Sequence, residues 1–251
     1  MQVYNTSAIV TGAASGLGNA VANALASEGV RVFGLDLAAA VEAAQPVPGV
    51  TFVAADITDV DDVERVVALA AEAGPLRTLV NCAGVAPSAR ILGRDGVHDL
   101  ALYARVVGVN LVGTFNVMAF AARAIAETEA DDDGQRGVVI NTASIAAFDG
   151  QIGQAAYASS KGGVAALTLP AARDLAAHGI RVCTIAPGIV DTPMMAAFSD
   201  QVRDSLAATV PFPHRLARAE EFAQLALAVI AHDYLNGEVI RMDGALRMAP
   251  R

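Results

Sequence analysis

Short, continuously apolar runs recur along this chain between amphipathic stretches, and this alternation constrains the fold more than any other feature. Strands that are apolar at consecutive positions are typical of a parallel sheet covered by helices on both faces. The predicted strands are Ser7–Thr11, Val30–Leu35, Thr51–Ala54, Thr78–Asn81, Gly137–Thr142, Ile180–Ile185 and Glu238–Met242. The predicted helices lie near Gly16–Glu28, Asp59–Ala73, Leu100–Glu127, Gln154–His178 and Ala219–His232. The pattern predicts an α/β fold with a doubly wound, seven-stranded parallel sheet.

One domain is expected over residues 1–251, because 54% hydrophobic and 17% charged residues can fill a single large core. The alternation is interrupted at about 191–218, where three prolines surround a short apolar stretch. We expect this insertion to be a partly helical substrate loop that can move over a site.

Charge and composition exclude several classes of protein. A net charge of −9 argues against nucleic-acid binding, which depends on clustered Lys and Arg. Residues 1–27 carry no charge and no basic leader region, and their polar residues argue against a signal peptide or a membrane span. We therefore expect a cytoplasmic protein without membrane or nucleic-acid partners. Cys82 and Cys183 lie in apolar, strand-like contexts typical of reduced, buried thiols. The four scattered histidines suggest no metal site.

A glycine-rich turn joins the first predicted strand to the first helix. Gly12, Gly16 and Gly18 allow a sharp turn and a close backbone approach, so that helix N-terminal amides can bind a pyrophosphate. The order differs from G-x-G-x-x-G, but the function would be the same. An ordinary tight turn is the alternative.

Two aspartates follow the next two strands. Asp36, 18 residues after Gly18, can accept hydrogen bonds from an adenosine ribose. The residues after it, Leu37 to Ala39, supply no cation for a 2′-phosphate, so NAD is favoured over NADP. Asp56 could bond the adenine edge, or could equally be a solvated strand end.

The only lysine in the chain, Lys161, lies four positions after Tyr157. On a helix these side chains share a face, so the ammonium could lower the phenol pKa from about 10 towards neutrality. Tyr157 is therefore a candidate general base for an alcohol, or the acid for the reverse reduction. Ser144, beyond the fifth strand, could orient the substrate oxygen, although it could instead cap the next turn.

These motifs together resemble those of the short-chain dehydrogenases/reductases. The resemblance rests on the glycine turn, Asn81-Cys82-Ala83-Gly84, Asn110, Ser144, Tyr157-x-x-x-Lys161 and Pro187-Gly188, in the expected order over the whole chain. It implies a Rossmann domain. It also implies that Asn110 completes a catalytic tetrad with Ser144, Tyr157 and Lys161 by holding a water that relays protons from Lys161.

The resemblance also implies which residues bind cofactor and substrate. The expected cofactor-binding residues are Gly12, Ser15, Gly16, Leu17, Gly18, Asp36, Asp56, Ile57, Asn81, Cys82, Ala83, Gly84, Tyr157, Lys161, Pro187, Gly188, Val190 and Thr192. The expected substrate contacts are Ser144, Gln154 and Tyr157.

Four longer stretches of sequence resemble one group within this family, the type 2 3-hydroxyacyl-CoA dehydrogenases, also called 17β-hydroxysteroid dehydrogenase type 10. The stretches are residues 141–148, 153–157, 211–213 and 236–245. That group is NAD-dependent and tetrameric, and oxidises short-chain 3-hydroxyacyl-CoA and some hydroxysteroids. This chain departs from it in a shorter segment 86–98 and in Val190, where animal members have an aromatic residue.

The expected reaction is reversible hydride transfer between (S)-3-hydroxyacyl-CoA and NAD, giving 3-oxoacyl-CoA, in a homotetramer. Three alternatives remain open at this point. They are a 17β-hydroxysteroid or other secondary-alcohol dehydrogenase, an NADPH-dependent 3-oxoacyl thioester reductase, and a non-catalytic scaffold.

Overall fold

The computed structural model describes residues 3–94, 96–193, 195 and 198–250. Seven strands form one parallel sheet. They are β1 Ser7–Thr11, β2 Arg31–Asp36, β3 Val50–Ala54, β4 Leu76–Asn81, β5 Gly137–Thr142, β6 Ile180–Pro187 and β7 Val239–Met242. Their order in the sheet is β7-β6-β5-β4-β1-β2-β3. The predicted doubly wound Rossmann fold is confirmed, and the strand order reverses between β1 and β4, where such sheets bind ligands.

Helices cover both faces of the sheet. They are α1 Gly16–Ser27, α2 Ala38–Ala43, α3 Val60–Ala73, α4 Leu100–Val107, α5 Thr114–Ala126, α6 Ala146–Asp149, α7 Ala155–Ala176, α8 Asp200–Ala208 and α9 Ala219–Ala231. Helices α1 and α9 pack on one face of the sheet and form one core layer. Helices α3, α5 and α7 pack on the opposite face and form the other. Strands β5 and β6 are buried along their whole length, which explains their continuously apolar sequence.

The helix predicted over Leu100–Glu127 is interrupted by a six-residue π-helical stretch, Gly108–Gly113. The hydroxyl of Thr114 donates to the carbonyl oxygen of Asn110 at 2.8 Å and caps the wider turn. By length and composition the whole run, Leu100–Ala126, could cross a membrane. Inside the fold, 44% of its most apolar window is buried.

The insertion predicted at about 191–218, with its three prolines, lies outside the seven-stranded sheet. Its two ends meet in a short parallel pairing of Val190–Asp191 with Ala217–Arg218, and α8 lies between them. Arg203 of α8 forms an ion pair of 2.8 Å with Asp191 at the base of the segment. The intervening chain is therefore attached at its base next to the carboxyl end of β6.

Candidate active site

Three side chains predicted from separate motifs meet at the carboxyl edge of the sheet. Ser144 follows β5, whereas Tyr157 and Lys161 lie in the first turns of α7. Ser144 lies beside Tyr157, where its hydroxyl lowers the pKa of the phenol. The Lys161 ammonium lies 6.0 Å from the centre of the tyrosine ring. The structure thus brings a phenol, a hydroxyl and an ammonium together.

Lys161 is almost completely buried. Its Nζ donates to the carbonyl oxygen of Thr142 at 2.7 Å. Burial disfavours the charged form and lowers the pKa of Lys161 to about 8. The cation is therefore held by the backbone of β5 at the edge that also carries Ser144.

The electrostatic environment of Tyr157 differs from the prediction. Burial raises the pKa of its phenol above the usual value of 10, whereas the hydrogen bond from Ser144 lowers it. Burial dominates, so Tyr157 is protonated at neutral pH in this structure. The predicted acidification by Lys161 is not seen, and the lowering contribution comes from Ser144.

Asn110 is fully buried in the π-helical stretch. Its Oδ1 accepts from the Val85 amide at 2.8 Å, and its Nδ2 donates to the Val85 carbonyl at 2.9 Å and to Ser160 Oγ at 3.0 Å. The side chain therefore clamps the backbone just after Gly84 and joins it to α7. A Cβ added at Gly84 would lie 3.5 Å from Lys161 Nζ, which places Gly84 beside the catalytic candidates.

The predicted glycine turn lies between β1 and α1, and two of its glycines are required by close backbone contacts. A Cβ at Gly12 would lie 2.9 Å from the Ala83 backbone, and one at Gly18 would lie 2.2 Å from the Gly12 carbonyl oxygen. Ser15 precedes α1 and is exposed, and within the described part of the chain its hydroxyl makes no capping bond. Exposed amides at a helix start next to small residues can accommodate a pyrophosphate.

Asp36 ends β2 beside this turn. One carboxylate oxygen accepts from the Ala14 amide at 3.0 Å and the other from the Leu37 amide at 2.9 Å. These bonds fix the carboxylate at the mouth of the turn, as a ribose-binding acceptor requires. Asp56 differs, because its exposed carboxylate accepts from the amide and hydroxyl of Thr58, at 2.8 and 2.7 Å.

The remaining predicted cofactor contacts border the same crevice or support it. Thr192 packs against the glycine turn, since a Cβ at Gly16 would lie 3.5 Å from its side chain. Asn81 is buried and donates to Asn141 Oδ1 at 2.9 Å. Leu17 is partly exposed, whereas Ile57, Pro187 and Val190 are buried; Gly188 approaches the Asp243 backbone. The individual roles of these residues remain predictions.

Cys82 and Gln154 have local contacts that limit their roles. Burial raises the pKa of the Cys82 thiol to about 11, so it stays protonated near pH 7. Gln154 accepts from the Gln151 amide at 3.0 Å through its side-chain oxygen, which leaves its amino group as the potential substrate donor.

Sequence reasoning missed two supporting hydroxyls. Thr11 Oγ1 accepts from the amides of Cys82 and Ala83, at 3.0 and 3.1 Å, and ties β1 to the chain after β4. Ser160 joins Asn110 to the carbonyl oxygen of Tyr157, to which its hydroxyl donates at 2.8 Å. No spacing pattern could reveal them, because each acts across elements distant in sequence.

The crevice fits a dinucleotide, because it combines a turn without room for side chains, an anchored carboxylate and uncapped helix amides. The residues that would hold it are those of the glycine turn and Asp36 at one end, and Tyr157 and Lys161 at the other.

Comparison with known proteins agrees with this geometry. The sequence profile of the family described as short chain dehydrogenase matches residues 6–203. The 3-hydroxyacyl-CoA dehydrogenase type-2 of Bos taurus is 48% identical over 249 residues, covering 97% of this chain and 95% of that protein. That of Drosophila melanogaster is 48% identical over 254 residues, covering 99% and 100%.

A solved structure leads to the same family. The crystal structure of 3-hydroxyacyl-CoA dehydrogenase type-2 from Mycobacterium avium has a TM-score of 0.92 and 40% identity, and the match covers 100% of both chains. The chain therefore belongs to the short-chain dehydrogenase family and is an oxidoreductase that works with a nicotinamide cofactor.

Proposed function

We propose that this enzyme uses NAD to interconvert (S)-3-hydroxyacyl-CoA and 3-oxoacyl-CoA. The observation that carries the proposal is the cluster of Ser144, Tyr157 and Lys161, in a chain 48% identical to proteins named 3-hydroxyacyl-CoA dehydrogenase type-2. The preference for NAD is supported by Asp36, whose carboxylate would repel the 2′-phosphate of NADP.

Each member of the cluster has a distinct task in this proposal. Ser144 holds the substrate oxygen next to the Tyr157 phenol, beside which its own hydroxyl lies. Tyr157 takes the hydroxyl proton in alcohol oxidation and returns it in ketone reduction. Lys161 would bind the ribose of the nucleotide, and Asn110 keeps the chain after β4 against α7.

When bound, the nicotinamide ring supplies the redox chemistry by accepting hydride from the carbinol carbon. The protein supplies orientation and proton transfer. Because burial raises the pKa of Tyr157, its protonated form prevails at neutral pH, which favours ketone reduction there and alcohol oxidation at higher pH.

The test of the proposal is a substrate panel with both nucleotides. Acetoacetyl-CoA reduction with NADH should be at least about tenfold more efficient than with NADPH, as measured by kcat/KM. A preference for NADPH would indicate the 3-oxoacyl thioester reductase instead. Hydroxysteroids and 3-hydroxyacyl-CoA of increasing chain length, assayed with NAD, distinguish the acyl-CoA function from the hydroxysteroid alternative.

We also propose a cytoplasmic homotetramer. The run Leu100–Ala126 supports the assembly, because its apolar side chains Val112 and Phe115 are each 50% exposed. Apolar faces of this kind commonly pack between subunits. Light scattering at micromolar concentration should give four times the mass of one chain, and Phe115→Glu should reduce it.

A further inference from the structure

The chain between Ser144 and Tyr157 is short, and it determines how the serine hydroxyl is aimed. Helix α6 begins two residues after Ser144, and the Ala146 amide in its first turn donates to Ser144 Oγ at 3.1 Å. The near end of this segment is fixed by the Ile145 amide, which donates to the Pro187 carbonyl at 3.0 Å. The orientation of Ser144 therefore depends on where α6 lies.

Arg241 of β7 holds the far end of α6. Its Nη2 lies 2.6 Å from Asp149 Oδ2, at the last residue of that helix. Its Nε lies 2.7 Å from Asp243 Oδ2, and its Nη2 also donates to the Leu246 carbonyl at 3.1 Å. The guanidinium lies 5.2 Å from the centre of the Phe148 ring. One cation thus connects α6 to the chain that follows the last strand.

This arrangement differs from an ordinary surface ion pair. The side chains of Arg241 and Asp149 are each 21% exposed, and that of Asp243 is 7% exposed. A guanidinium can bond two carboxylates at once along different edges, which a single ammonium cannot do with the same geometry. Arg241 is also in register with Ala186 of β6, the strand whose end anchors Ile145.

We propose that Arg241 is a positioning residue for hydride transfer, which acts through Asp149 to fix α6 and with it the Ser144 hydroxyl beside Tyr157. The inference rests on the proposed roles of Ser144 and Tyr157. It predicts that loss of the Arg241–Asp149 pair lowers turnover, and that Asp149→Asn leaves nucleotide affinity unchanged, because this variant keeps the Arg241–Asp243 pair beside Gly188.

The pH profile supplies a readout that a purely structural role would not move. The Ser144 hydrogen bond lowers the pKa of Tyr157, so a displaced Ser144 lets that pKa rise. The titratable groups next to Tyr157 and Ser144 are Lys161 of α7 and, beside that lysine, Cys82 after β4. Changes at Arg241 or Asp149 leave Lys161 and Cys82 in place. If the rise of kcat for alcohol oxidation shifts to higher pH, that shift therefore reports on Ser144.

The experiment compares Arg241→Gln, Asp149→Asn and the double variant with wild type. The matched control is Arg247→Gln, which removes the other arginine on Asp243, an ion pair of 3.0 Å whose arginine is 60% exposed. Each single variant should lose about tenfold in kcat for 3-hydroxybutyryl-CoA oxidation, the scale of a slightly misplaced reacting group. NAD Kd in Asp149→Asn should stay within about twofold, and Arg247→Gln should match wild type in kcat, NAD Kd and pH profile.

A double-mutant cycle tests whether the two residues act through one contact. The double variant should lose no more kcat than either single variant, whereas multiplied losses would overturn the inference. Asp149→Asn carries the test alone if Arg241→Gln does not fold, because it leaves the Arg241–Asp243 pair intact. Wild-type kcat and pH profile in Asp149→Asn would also overturn it.

A spectroscopic measurement separates failure of this inference from failure of the proposed substrate. The ultraviolet titration of Tyr157 is obtained as the difference between each protein and its Tyr157→Phe counterpart. It should shift to higher pH in Asp149→Asn, whatever substrate the enzyme uses. An unshifted titration overturns the positioning role, even if the acyl-CoA assay fails for every protein including wild type.

Discussion

Lys161 donates a 2.7 Å hydrogen bond to the carbonyl oxygen of Thr142, at a position only 4% exposed to solvent. Burial lowers its pKa from 10.5 to about 8, so the folded protein binds this proton less tightly than the unfolded chain does. Between these two pH values the unfolded state carries more protons, and stability rises with pH across the window. The cation that the reaction requires therefore destabilises the fold at neutral pH.

Replacing this lysine should make the destabilisation visible. Lys161→Met should abolish turnover, and its free energy of unfolding relative to wild type should fall by about 3 kcal/mol between pH 7 and pH 10.5. The sign follows because the wild type regains stability as its lysine is neutralised, whereas the variant has no such group. Denaturant unfolding at several pH values measures the difference. If the difference in the free energy of unfolding does not change with pH, the conclusion that Lys161 is buried and charged at neutral pH is wrong.

Removing the phenol oxygen tests the proton-transfer step. Tyr157→Phe should lose at least about 10²-fold in kcat while NAD Kd changes little, because the ring remains and only the acid/base group is lost. In the wild type, kcat for alcohol oxidation should rise with pH, since burial raises the pKa of Tyr157 and the deprotonated form is the base. Near-wild-type turnover in the variant would refute the assignment.

Sequence patterns anticipated the sheet and the catalytic candidates, because both follow from local spacing. Continuous apolar runs located the seven strands, and the i, i+4 offset of Tyr157 and Lys161 placed both on one helix face. For the chain around Asn110 the sequence predicts one continuous helix, with a helix kink as the alternative role of Asn110, and no local pattern indicates a π-helical stretch. The Arg241–Asp149 pair joins residues 92 positions apart, and only the assembled sheet brings them together.

The carboxylate at the end of β2 should determine nucleotide choice. Asp36→Ala should raise the Kd for NAD at least about tenfold and affect NADP less, because it removes a ribose acceptor and also a repulsive charge. Fluorescence titration with both nucleotides measures this. Asp56→Ala is the control, since that exposed carboxylate is bonded to Thr58 and should change NAD Kd less. Equal losses of affinity for NAD and NADP in Asp36→Ala would contradict the assignment of Asp36 as the ribose acceptor.

A pair of buried threonines tests the energetics of the core. Thr78 is completely buried in β4, and its hydroxyl oxygen has no hydrogen-bond partner among the described residues. Thr184 of β6 is equally buried, but its hydroxyl lies 2.6 Å from that of Thr168. Thr78→Val should therefore raise the free energy of unfolding by about 1 kcal/mol, and Thr184→Val should lower it by a similar amount. Urea unfolding of both variants checks the opposite signs.

The glycine turn offers the sharpest steric test of the nucleotide site. In Gly18→Ala the new methyl group would lie 2.2 Å from the Gly12 carbonyl oxygen, so the turn must open and NAD Kd should rise at least about tenfold. Gly108→Ala is the matched control, because no atom of the described residues lies within 4 Å of the added carbon and the backbone there is helical. This control should keep NAD affinity and gain up to about 1 kcal/mol of stability. Wild-type NAD affinity in Gly18→Ala would mean that the nucleotide does not depend on this turn.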